Sequence, residues 1–390
     1  MAAPYRVGLP LVAWSHLFTV LLVLLTTGAN NDDIYDLLLI LMTEWLPWRQ
    51  RTHRTRGRDL RVRELSEQQA QHLTGFRRSD LFRLVSALGF GGGRTVRSSF
   101  RRYVCSGETA ILIVLVRLHD GRRWSELEDL FRRDHTQLSE LFAETVHMLL
   151  DEHRHRLEDL SFFKPRMPGY AAAIRHACTA KYPDVEALSD IWAFIDGTLR
   201  PCARPSAALF PGMNIQMTCY SGHKRRHGLR YQAVTTPDGL IAHMFGPLPG
   251  RRHDLTLLRQ SGLLEQLDGM YMPNEQVFRM YGDPAYRPGA HIATGYPKQR
   301  NVPLGDLEYR FNRAMSSARI CVEWSFKEIN CRLAYYLNDI IRMKLGKSAA
   351  GIGNIYVVSA LLTNCLVCCE GCQTSVAFGV PPPSLEEYLA

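Results

Sequence analysis

Four acids stand where metal-assisted chemistry would want them. Asp196 closes the apolar run DIWAFIDG, Asp254 follows GRRH at the start of a helical stretch, Asp283 ends a strand pattern in YGDPAY, and Glu323 lies within the helical run RICVEWSFKEI. Carboxylates from two strand ends and a helix, with no His/Cys cage, make a hard oxygen site suited to Mg²⁺ or Mn²⁺. Two such ions, about 3.5–4 Å apart, activate a water or a 3′-hydroxyl and stabilise the departing oxygen of a phosphodiester. Singly, each acid also has a plainer reading: Asp196 and Asp283 suit turns before Gly197 and Pro284, Asp254 suits a helix N-terminus, and Glu323 suits an exposed helix face. The neighbours Cys321, Val322, Trp324 and Phe326 place Glu323 near a buried helix face instead, where an unpaired charge is costly and calls for cations.

Cations are at hand. Lys224, Arg225 and Arg226 in SGHKRRHG, and Arg251 and Arg252 beside Asp254, are placed for an approaching phosphate backbone. The whole chain leans the same way, with 47 Lys and Arg against 38 Asp and Glu in 390 residues, and 40 of those cations are Arg. Arg is the residue whose planar fork matches phosphate, so polyanions lead the list of partners. At 46% hydrophobic the chain is not a disordered tail protein, and its length allows two or three packed domains. Of its ten Cys, six (Cys105, Cys178, Cys202, Cys219, Cys321 and Cys331) are scattered singly, which excludes a secreted disulfide scaffold and reads as reduced intracellular thiols. The other four, in CLVCCEGC, form overlapping C-x-x-C pairs without the loop that separates zinc-ligand pairs, so a helix with buried Cys is the favoured reading.

The elements that must position these groups fall into four regions. Residues 1–64 hold an apolar run, Leu9 to Thr27, that resembles a signal peptide or short membrane span, and a basic block, Arg49 to Arg63, suited to phosphate contact or nuclear import. Interruption by Ser15 and His16 favours packed N-terminal helices, with membrane association kept as the alternative. Residues 65–165 carry helical periodicity, with cap chemistry at Ser79 and Ser106 and a break at the GGG of 91–93. Within them a short helix at Ser125–Arg132, a break at Asp134-His135-Thr136 and a second helix from Gln137 have the form of a helix-turn-helix. His135, Gln137, Ser139 and Glu140 would then face base edges, and Arg122, Arg123, Arg132 and Arg133 phosphates. From 185 to 345 the pattern predicts strands at 190–197, 215–222, 230–239, 240–248 and 276–282, with PDG as a hairpin turn. Helices at 254–267 and 311–336 complete a mixed α/β sheet domain, and 346–390 supply a helix and an extended tail.

The ordered set IDGT, SGHKRRHGLRYQAVTTPDGLI, FGPLPGRRHDLTLLRQSGL, YGDPAY and FNRAMSSARICVEWSFKEI resembles the DDE endonuclease domain of PIF/Harbinger transposases, strongly over 190–340 and more weakly over 75–150 and the tail. That resemblance implies an RNase H-like fold, a divalent metal, and cutting and joining of DNA at transposon ends in the nucleus. It puts the catalytic triad on Asp196, Asp283 and Glu323, with Asp254 as a fourth metal-site residue. It also implies a Myb/SANT-like accessory protein for targeting, and leaves room for a homo-oligomer. The competing class is a domesticated, non-catalytic DNA-binding or scaffold protein.

Overall fold

The structure is a computed structural model that describes residues 59–183, 189–206, 214–272, 275–297, 304–334, 343–345 and 350–390. The apolar run at Leu9–Thr27 and the first ten residues of the basic block at Arg49–Arg63 lie outside the described residues.

A helical half comes first: α1 (Glu67–Thr74), α2 (Arg78–Ala87), the small hairpin β1 (Thr95–Arg97) and β2 (Val104–Ser106), α3 (Gly107–Asp120), α4 (Trp124–Phe131), α5 (His135–His153) and α6 (Met167–Lys181). Ser66 and Gln69 close a reciprocal capping box on α1, and the Ser106 hydroxyl accepts the Thr109 amide at the head of α3. Ser79 caps nothing, since α2 opens on Arg78. The GGG break leads into the β1–β2 hairpin, which the helical reading of this region does not contain.

The second half is β3 (Ile191–Pro201), the short α7 (Ile215–Cys219), β4 (Tyr220–Ser221), β5 (Arg226–Thr235), β6 (Ile241–Pro249), α8 (Asp254–Gln260), α9 (Leu263–Met270), β7 (Arg279–Gly282), β8 (Ile292–Thr294), α10 (Asp306–Glu328), α11 (Ile352–Glu370), α12 (Gln373–Phe378) and α13 (Leu385–Leu389). The main sheet runs β6-β5-β3-β7-β8, an antiparallel meander on one side of β3 and parallel strands on the other. β3 is central because Ile191 to Ile195 are apolar and buried on both faces, the composition a parallel pairing demands. Most of the predicted strand at 215–222 is a helical turn instead, because the Asn214 side chain accepts the Met217 amide and caps α7. The single helix expected over 254–267 is broken at Gly262, which adopts φ 65.

One continuous hydrophobic core runs from Leu60 to Leu389 through both halves. The β5–β6 turn is tied to α6 by Asp238, buried, which accepts from the Thr236 hydroxyl at 2.6 Å and the Tyr170 phenol at 2.5 Å. α6 and α10 pack together against β3, so the helix that carries Glu323 lies over the strand that carries Asp196. Among the described residues α11 is the one helix long and apolar enough to cross a membrane, yet 89% of that stretch is buried within the fold. Its Asn364 amide accepts from the Ile241 amide and donates to the Ile241 carbonyl, both at 2.9 Å, covering the backbone of β6. Cys365, Cys368 and Cys369 lie on this helix as free thiols and Cys372 just beyond it, as the core reading of CLVCCEGC expects. The tail is not extended throughout: Ser384 caps α13, where Glu386 pairs with Arg83 at 2.7 Å, Glu387 pairs with Arg166, and Tyr388 meets Asn364 at 2.9 Å.

His243 on β6 is buried, and burial pushes its imidazole down to about 4. The unfolded chain then binds the extra proton between that value and the ordinary one near 6.5, so stability is fully present above about pH 6.5 and is lost as pH falls toward 4. Melting temperatures at pH 7.5 and 5.0 should drop further for the wild type than for His243→Leu, by an amount that corresponds to roughly 2–3 kcal/mol. Equal drops in the two proteins would show that His243 is not held neutral.

Candidate active site

Backbone register brings the first two acids together. β3 and β7 pair in parallel with Phe194 opposite Tyr281, so Asp196 and Asp283, each two residues further on, emerge side by side where β7 ends; β3 itself does not end at Asp196 but runs on to Pro201, still paired with β5. Asp190 ties the entry of the two strands together, ahead of an irregularity between Ile191 and Ala193 that shifts the register by one residue: its carbonyl accepts the Arg279 amide at 2.7 Å, and its carboxylate takes the Arg279 guanidinium at 2.5 and 3.1 Å. Asp196 is largely buried. Burial pushes its carboxyl above the ordinary range, opposed by Arg319 and the Gly197 amide, and repulsion from Asp283 adds to the rise. Asp283 also performs the turn role open to it, accepting the Ala285 amide at 2.9 Å.

Asp254 opens α8 as its first residue, where a carboxylate is favoured by the helix N-terminus. It leans on β3 so closely that a Cβ at Gly197 would stand 2.2 Å from its Oδ1. Arg230 holds it from β5, Nη1 donating to Oδ1 at 2.8 Å while Nε donates to the Gly250 carbonyl at 3.3 Å. Glu323 departs from expectation. Its side chain is 58% exposed on the outer face of α10, because Cys321, Val322, Ser325 and Phe326 take the buried face and leave position 323 outside it. Arg319, one turn earlier, reaches back across the site: Nη1 donates to Asp196 Oδ2 at 2.8 Å, and Nη2 stands 4.0 Å from Glu323 Oε1.

Under the acids lies Tyr286, fully buried, whose hydroxyl meets no hydrogen-bond partner. Its phenol is pushed well above its ordinary value by burial and then by Asp254, Asp196 and Asp283. Arg230, Arg319 and Tyr286 belong to the site although the acid pattern does not point to them. Two left a signal: Arg319 stands four residues before Glu323, the spacing of one helical face, and Tyr286 three after Asp283.

The basic residues do not form a single rim. Lys224, Arg225 and Arg226 are exposed on the turn between β4 and β5, with Arg225 at φ 50. Ala233 on β5 stands opposite Asp196, so seven residues of extended strand set the turn roughly 20 Å from the acids. Arg251 and Arg252 sit nearer, half-buried in the bend before Asp254. In the helical half, α4 and α5 form the expected pair with α5 starting at His135, but the predicted base readers fare unevenly. Gln137 is only 1% exposed and turned into the core, which removes it from a groove. Glu140 pairs with Arg101 at 3.3 Å. Arg133 is buried against Asp59 at 2.8 Å and is a structural cation rather than a phosphate contact. Arg122 pairs with Asp120 at 2.6 Å, whereas Arg123 and Arg132 are exposed. At the head of α5, Glu128, Asp134 and His135 bring their ligand atoms within 4.8 Å of one another, closer than any three of the four acids around Asp196 come.

Gly197→Ala sets a Cβ against the Asp254 carboxylate. Thermal unfolding should register a loss of about 1–3 kcal/mol as Asp254 is forced from Arg230, and a melting temperature equal to wild type would mean that Asp254 does not pack on β3.

No curated protein and no solved structure matches the chain. Residues 195–364, which include all four acids, match the family described as DDE superfamily endonuclease.

Proposed function

We propose that the chain is a divalent-metal-dependent DNA endonuclease of the PIF/Harbinger transposase type, built on an RNase H-like domain. The observation that carries this reading is the register that sets Asp196 beside Asp283, with Asp254 and Glu323 brought alongside by α8 and α10. The donor set fits the metal: it is all carboxylate oxygen, the ligand type that Mg²⁺ and Mn²⁺ prefer, and Asp196 is largely buried. Asp196, Asp283 and Glu323, with Asp254 as the fourth, would hold Mg²⁺ or Mn²⁺, which when bound supplies Lewis acidity for in-line displacement at phosphorus by a two-metal mechanism.

The chain's own residues do the rest. The Gly197 amide orients Asp196 through Oδ1, and Arg230 holds Asp254 against β3. Lys224, Arg225 and Arg226 grip the DNA backbone some distance from the acids, so the duplex lies along β5 toward them; at 3.4 Å per base pair that track is about six base pairs long. The α4–α5 pair adds phosphate contacts through Arg123 and Arg132 rather than base contacts through Gln137. A DNA substrate supports a nuclear location, with a Myb/SANT-like partner supplying targeting and a homo-oligomer holding paired ends as the parts of this reading that the resemblance implies.

A second reading has one observation in its favour. Arg319 on Asp196 and Arg230 on Asp254 already neutralise two acids, which suits a fold that retains them as ion pairs in a non-catalytic DNA-binding protein. Nicking of supercoiled plasmid with Mg²⁺ or Mn²⁺ separates the two. Asp196→Ala, Asp283→Ala and Glu323→Ala should each lower the rate on the order of 100-fold or more. Salt-dependent DNA binding with no cleavage at any metal concentration would establish the second reading instead.

A further inference from the structure

The cation between Asp196 and Glu323 belongs to the chain itself. Both oxygens of Asp196 are engaged, Oδ1 by the Gly197 amide at 2.8 Å and Oδ2 by Arg319 Nη1 at 2.8 Å. The other end of the same guanidinium faces Glu323. An ion that ligates Asp196 through Oδ2 and Glu323 through Oε1 must therefore enter where the guanidinium lies. Two guanidiniums, those of Arg230 and Arg319, stand among the four carboxylates. Arg230 is the fixed member, 12% exposed and also bonded to the Gly250 carbonyl. Arg319 is more exposed, at 21%, and its second partner is the outward-facing Glu323, so it has room to turn outward with its stem still on α10.

We propose that Arg319 is an exchangeable counter-cation of this site, a guanidinium that a divalent ion displaces from Asp196 in order to bind Asp196 and Glu323 together. The inference rests on the metal reading above. It makes Arg319 a positioning residue with two opposed effects: it stabilises the acid cluster while it sits on Asp196, and it weakens metal binding by competing for the same oxygen.

Mn²⁺ titration of the full chain without DNA, followed by electron paramagnetic resonance, tests it in wild type, Arg319→Gln and Arg319→Lys, with thermal unfolding in chelator alongside. Arg319→Gln should bind Mn²⁺ on the order of tenfold more tightly than wild type and melt at a lower temperature in chelator. Arg319→Lys, which keeps the charge for folding but loses the fork that spans both acids, should bind severalfold more tightly than wild type and serves if the Gln variant fails to fold. Wild-type binding that both folded variants merely equal, or exceed in weakness, overturns the exchange and leaves the metal reading standing. No Mn²⁺ binding by any of the three overturns the metal reading and the exchange with it.

Discussion

The parallel register of β3 and β7 is the constraint on which the rest of the site depends. A shift of one residue would turn every side chain of β7 to the opposite face of the sheet and carry Asp283 away from Asp196. The ion pair and backbone hydrogen bond between Asp190 and Arg279 hold the two strands together at their start, the irregularity between Ile191 and Ala193 sets the register beyond it, and the buried run Ile191–Ile195 holds β3 at the centre of the sheet. α10 can then lie across β3, β5 and β7 only with its apolar face down, which leaves Arg319 and Glu323 at the edge where Asp196 emerges.

Crowding carboxylates at a strand end is unfavourable without cations, and the fold supplies two. Arg230 and Arg319 each come from an element adjacent to the acid they hold, β5 for Asp254 and α10 for Asp196, so the neutralising charges are positioned by the same packing that gathers the acids. This changes the meaning of the Arg-rich composition. Arg83, Arg133, Arg166, Arg279 and Arg332 also form ion pairs within the fold, several of them between elements far apart in the chain, so much of the positive charge is structural and not aimed at a polyanion. Among the described residues the outward cations include those of the β4–β5 turn, Arg123 and Arg132, and also Arg61, Arg77, Arg97, Arg175, Arg259 and Arg313, which are spread over both halves.

The long elements and the positions of the acids were legible in the sequence because period and flanking residues carry them. The apolar run up to Asp196 reads as a buried strand, the PDG turn pairs β5 with β6, and the helix bearing Glu323 keeps an α-helical period as far as Glu328, where a π-helical turn, Ile329–Leu333, follows. The failures have equally local causes. IQMTC has strand composition, yet one side-chain cap from Asn214 turns it into a helix; β8 is three residues long, too short for any period to register. Glu323 was misplaced because apolar neighbours in sequence are not neighbours on a helix: positions 321, 322, 325 and 326 share a face that excludes 323. Gln137 failed in the opposite sense, as a polar residue at a helix start that packing draws inward. Arg230 is invisible in the sequence because its partner Asp254 lies on another element, and only the assembled sheet brings the two together.

The central claim is that the divalent ion is bound where Asp196 and Asp283 emerge from β3 and the end of β7, and not at the tighter group formed by Glu128, Asp134 and His135. Fe²⁺ substituted for Mg²⁺ and driven with peroxide and ascorbate cuts the polypeptide next to wherever the ion is bound. Cuts in the segments around 196, 254, 283 and 323, suppressed by excess Mg²⁺ and absent from Asp196→Ala, are the predicted result. Cuts confined to 128–135, or a pattern unchanged by loss of Asp196, would contradict it.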